Sequence, residues 1–167
     1  MLDIEKLKIW IYKNEIDKIV EYAQNLPQCN YNNFIEYLIK ELECTQSGDC
    51  RNTIAYTIGV LKCNDAIPIL VKLIFTPDLK NNRGSLIYAL EDLDCGKWLE
   101  QLVPLLYEGN YEVRLNVYNL LQNKKREMPP EDIKKSIELL KKKIEEYEDV
   151  LDLLCDVHDN ILVESES

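Results

Sequence analysis

Three arginines, Arg51, Arg83 and Arg114, each open a segment with apolar residues at helical spacing, and they stand 32 and 31 residues apart. The segments run Arg51 to Leu61, Arg83 to Leu93 and Arg114 to Leu121, and each follows another periodic segment: Phe34 to Leu42, Ile67 to Leu73 and Leu99 to Leu105. A period of this length points to stacked helix–turn–helix units, because a single pair cannot bury its apolar stripe alone. Turn chemistry separates the segments at Ser47-Gly48-Asp49, Thr76-Pro77-Asp78 and Gly109-Asn110, while Asn64-Asp65 and Asp94 are placed to cap following helices. Pro68 fits a first helical turn, whereas Pro104 falls deeper and is expected to kink its helix.

The spacing predicts helices at about 3–12 and 14–25, then pairs at about 31–44 with 49–62, 65–76 with 80–93, and 96–107 with 110–123. A last helix starts at about 130 and either stops near 147 or continues to about 161. With 46% hydrophobic residues and only five Gly and six Pro, the chain has material for one all-helical core over 1–167.

Asp65 to Leu73 followed by Arg83 to Leu93, and Trp98 to Leu106 followed by Arg114 to Leu121, resemble the HEAT-repeat family and its armadillo relatives. The resemblance is clearest over about 31–124 and implies an all-α, right-handed superhelical α-solenoid of helix pairs without a sheet. It also implies that Arg51, Arg83 and Arg114 support the turn within each pair. The acidic segment at about 145–161 is then the helix that caps the stack.

Charge is distributed unevenly. The chain carries 20 bases and 30 acids, yet residues 144–167 hold nine of the acids and no base. The segment Lys124 to Lys143 is mildly basic, with eight bases against four acids. This balance argues against a nucleic-acid surface, which needs clustered Lys and Arg, and favours a cationic partner for the acidic end. The N-terminal residues lack the pattern of a signal peptide and no apolar run suggests a membrane span, so a cytoplasmic protein is expected. Cys29, Cys44, Cys50, Cys63, Cys95 and Cys155 include no CxxC pair and read as reduced core thiols.

No catalytic, cofactor or metal motif is found. His158, the single histidine, has no Ser or Cys placed beside it by a known motif, and there is no phosphate loop, HExxH or EF-hand loop. The candidates are therefore partner-binding residues. At about 100° per residue, Glu145, Asp149, Asp152, Asp156 and Asp159 fall in one stripe, with Tyr147, Val150, Leu151, Leu154, Val157 and Ile161 gathered opposite it. Leu154 is expected in the core. Tyr56 and Tyr88 occupy equivalent repeat positions on what HEAT-like stacks use as the inner surface, with Asn119 third in the series, and Glu91 and Asp92 make that surface acidic beside Tyr88.

Small, acidic, all-helical chains with loose HEAT-like repeats resemble immunity proteins of bacterial toxin systems, including contact-dependent growth inhibition. That resemblance implies a non-catalytic protein bound to a basic toxin, often a nuclease, with neither nucleic acid nor membrane as partner. A HEAT-repeat adaptor in a larger assembly is the alternative. An enzyme on such a scaffold, a DNA glycosylase or bilin lyase, ranks below both, since the first needs a basic concave face and nothing marks a bilin site.

Overall fold

A computed structural model describes residues 2–80 and 82–157, and among these every regular element is a helix. The chain divides into two compact units, Met1–Met128 and Pro129–Ser167.

In the first unit, α1 (Ile4–Tyr12) and α2 (Ile16–Gln24) precede α3 (Gln28–Cys44) and α4 (Gly48–Val60). There follow α5 (Ile67–Ile74) with α6 (Gly84–Ala89), then α7 (Leu99–Leu102) and α8 (Leu105–Glu108) with α9 (Tyr111–Lys124). Short 3-10 turns extend several of these, at Asn64–Ala66, Leu90–Asp92 and Gly96–Trp98 among others. Pro104 does more than bend its helix: it divides the segment into α7 and α8, since proline offers no N–H to the preceding turn. Pro68 sits in the first turn of α5, where that N–H is not needed.

Ser47 caps α4 by accepting from the Cys50 N–H, and Asn110 caps α9 by accepting from the Val113 N–H. Asn64 and Asp94, expected as caps, instead bond each other. The Asn64 amide donates to Asp94 Oδ2 at 2.6 Å, and the Asp94 N–H donates to Asn64 Oδ1 at 2.9 Å. Their side chains are thus used between successive pairs, 30 residues apart.

The second helix of each pair lies against the next: α4 packs on α6, and α6 on α9. Ile54, Ile58, Leu70, Leu86, Ile87, Leu90, Val117 and Leu120 are buried along this succession. The three repeat arginines play one part. Arg51 donates to the Thr45 carbonyl at 3.2 Å, Arg83 to the Ile74 carbonyl at 3.1 Å, and Arg114 to the Tyr107 carbonyl at 3.2 Å. Each guanidinium thereby meets a carbonyl at the end of the preceding helix, a group the helix leaves unpaired.

Only Cys63 and Cys95 are buried, so the expectation of six core thiols is corrected: Cys29, Cys44 and Cys155 are exposed and Cys50 is half-buried. A thiol's position relative to the helix stripe, and not its residue type, decides its burial.

On α3 the Tyr37 hydroxyl is buried and finds no hydrogen-bond partner among the described residues. Burial first, then Glu41 and Glu5, pushes this phenol up to about 12 from 10.0. The native protein therefore holds this proton to higher pH than the unfolded chain, and its contribution, complete below pH 10.0, is lost as pH rises toward about 12. Tyr37→Phe is expected to leave stability at neutral pH unchanged or raise it by up to about 1 kcal/mol, since no hydrogen bond is lost. The same variant should unfold less readily than the parent in alkali, which urea titrations at neutral and alkaline pH measure.

Candidate functional site

The second unit contains α10, one unbroken helix over Pro130–Asp156. Pro130 opens it, Glu131 and Asp132 favour the positive end of its dipole, and the Ser136 hydroxyl donates to the Asp132 carbonyl at 2.7 Å. The helix does not stop near 147 but runs on to Asp156, and its continuation to about 161 lies outside the described residues. The acidic stripe thus rides on the second half of a helix whose first half is basic.

Glu145, Asp149, Asp152 and Asp156 are all exposed. Asp159 lies outside the described residues, as do His158 and Ile161. Carboxylates three and four residues apart repel by about 0.2–0.5 kcal/mol per pair. Those in the last turns also face the negative end of the helix dipole, where no base stands. Glu146 belongs to a different set: it pairs with Lys143 at 2.7 Å, whose hydrogen bond and charge hold its carboxyl below the ordinary range.

The expectation that Leu154 is core is overturned. Leu154 is 59% exposed, and Tyr147, Val150 and Leu151 are exposed as well. Periodicity places these side chains on one face, as expected, but does not say that anything covers the face.

On the first unit, the 32-residue spacing brings Tyr56 of α4 and Tyr88 of α6 into a stack, with ring centroids 5.1 Å apart and planes 24° from parallel. Small residues allow the approach: a Cβ on Gly59 would stand 3.2 Å from the Ala89 carbonyl oxygen. Both rings remain partly exposed, as does Val60 one turn beyond Tyr56. The Tyr88 phenol is pushed above its ordinary value first by its side-chain hydrogen bond to Tyr56, then by the Tyr56 charge and burial, with Glu91 and Asp92 adding to it. Glu91 is raised by burial and by Asp92, against the opposing pull of Lys124. Asp92 is exposed and Glu91 half-buried, and both carboxylates act on the Tyr88 phenol.

An apolar stripe escaped the sequence reading. Tyr111, Leu115 and Tyr118 are exposed on α9, opposite its buried Val113, Val117 and Leu120. Their spacing of four and then three residues was the available signal. A cleft of about 460 Å³ beside Tyr31, Glu36, Lys62 and Asp65 also reaches Cys63. Burial pushes that thiol up, so at neutral pH it is protonated and a poor nucleophile. Among the described residues no group of His, Cys, Asp and Glu is placed to hold a metal ion, and no helix is long and apolar enough to cross a membrane.

Among the described residues the fold is all-helical, with the carboxylate stripe on α10 in the second unit and the Tyr56–Tyr88 stack in the first. Neither family models, nor curated proteins, nor solved structures give a match to the chain.

Proposed function

We propose that this chain is a non-catalytic binding protein, an immunity protein that neutralises a basic toxin in the cytoplasm, with a nuclease of the contact-dependent growth inhibition type as the expected target. The observation that carries the reading is the carboxylate stripe of α10, exposed at Glu145, Asp149, Asp152 and Asp156, in a segment with no base after Lys143. A cleft that holds phosphates is matched by such a stripe, and long-range attraction speeds the encounter. Binding relieves the repulsion that the isolated helix carries. Nucleic acid and membrane are not partners in this reading.

The HEAT-like superhelix belongs to the same proposal. Its support is the arginine-to-carbonyl bond repeated in three pairs, and the succession of α4, α6 and α9. A HEAT-repeat adaptor is the second reading, favoured by the exposed Tyr56–Tyr88 stack, because tyrosine offers contact area at low entropic cost.

Capture from cells of its own source, followed by a salt titration of what binds, tests the proposal. A single basic partner, toxic when expressed alone and released as salt rises, is the expected result. Converting Glu145, Asp149, Asp152 and Asp156 to their amides should leave helicity intact and slow association by about 10-fold or more. Unchanged affinity and kinetics would sink the stripe as the docking surface, and a set of neutral partners would favour the adaptor.

A further inference from the structure

The side chains that the acidic-stripe reading leaves unused on α10 follow a second pattern. Ile133, Ile137, Leu140, Ile144, Tyr147, Leu151 and Leu154 are spaced by four and three residues in strict alternation over three heptads. Leu140 is half-buried and the other six are exposed. Their average spacing of 3.5 residues is that of a coiled-coil seam and differs from the 3.6 of a helix lying on a globular core. Ile137, Ile144 and Leu151 fall at a positions, and Ile133, Leu140, Tyr147 and Leu154 at d positions. Glu145, Asp149, Asp152 and Asp156 occupy the outer b and f positions. The seam and the stripe are thus separate faces of one helix.

We propose that α10 pairs with α10 of a second copy of this chain, antiparallel, along this seam. Charge selects both the occupant and the direction. Residues 134–143 hold five lysines and one glutamate, whereas residues 145–156 hold six acids and no base. Parallel pairing sets the acidic halves side by side. Antiparallel pairing lays each basic half along the partner's acidic half. With Ile144 facing Tyr147 of the partner subunit and Ile137 facing Leu154 of the partner subunit, Lys141 meets Glu148 of the partner subunit, and two-fold symmetry repeats every contact. Lys141 and Glu148 are both exposed on the single chain and available for this contact.

Sedimentation equilibrium on the full chain tests this without any toxin or other partner, so its failure is distinct from failure of the function proposed above. The expected species has twice the 19.6 kDa mass of the chain and dissociates on dilution. A monomer at all concentrations up to about 200 µM, where even a weak interface is populated, overturns the proposal. Ile144→Asp is expected to abolish the dimer while keeping the circular dichroism and melting temperature of the single chain, because Ile144 is 54% exposed there. A dimer that survives Ile144→Asp in a folded chain overturns the seam. Lys141→Glu should weaken the dimer at least several-fold, and Lys141→Glu with Glu148→Lys should restore it. Lack of restoration overturns the antiparallel arrangement, because in parallel pairing Glu148→Lys instead faces Lys143 of the partner subunit.

Discussion

Replacing Phe34 with alanine is expected to lower the unfolding free energy by about 3–5 kcal/mol, measured by urea titration of the full chain. Phe34 is fully buried on α3, and its ring lies 6.2 Å from Tyr22 of α2 and 6.3 Å from Tyr31. Tyr22 in turn meets Trp10 of α1 edge-on at 5.8 Å, and its hydroxyl accepts the Asp3 N–H at 3.0 Å. The ring is thus one of the points at which the first two helices are held to the rest of their unit, beside their packing on α4. Truncation removes transfer free energy and leaves a void that two aromatic neighbours, Tyr22 and Tyr31, fill poorly. A loss below about 1 kcal/mol would show that this cluster repacks freely.

Arg83→Ala is expected to cost about 2–3 kcal/mol, and Arg114→Ala less than about 1 kcal/mol, although each removes the same kind of bond. Arg83 is 6% exposed, so the Ile74 carbonyl it serves loses its charged donor where little water can replace it, whereas Arg114 is exposed. Burial also holds the Arg83 guanidinium below its ordinary pKa, with Glu108 acting in the opposite direction. Its charge is therefore itself a cost. Arg83→Met, which keeps the apolar stem, separates the two contributions: recovery of most of the stability would assign the loss to packing and not to the carbonyl bond. Equal losses at positions 83 and 114 would contradict the burial argument.

How far the sequence could be read depends on what each signal reports. The arginine spacing and the turn residues report local hydrogen bonding, and α3 at Gln28–Cys44 and α9 at Tyr111–Lys124 follow them closely, whereas α6 covers only Gly84–Ala89 of the expected 80–93, with a 3-10 turn after it. The same spacing anticipated equivalent positions for Tyr56 and Tyr88, but their stacking distance depends on Gly59 meeting Ala89, a tertiary fit that no periodicity encodes. Leu154 shows the limit most directly. Its phase on α10 was legible and its exposure was not, because an apolar stripe reads the same whether its cover is another helix of the chain, another copy, or water. Asn64 and Asp94 look like caps in isolation, and become a bridge only when two pairs are side by side.

The bonds that brace the helix pairs have a bearing on how such a chain can change in length. The arginine bond closes within one pair, and the Asn64–Asp94 bridge joins that pair to the next. In a repeat stack of the kind proposed, a duplicated pair would bring its own internal brace with it and meet its neighbours through surfaces like those joining α4, α6 and α9. Lengthening by whole units of 31 or 32 residues therefore leaves existing joints intact, whereas an insertion of a few residues inside a pair shifts an arginine away from its carbonyl.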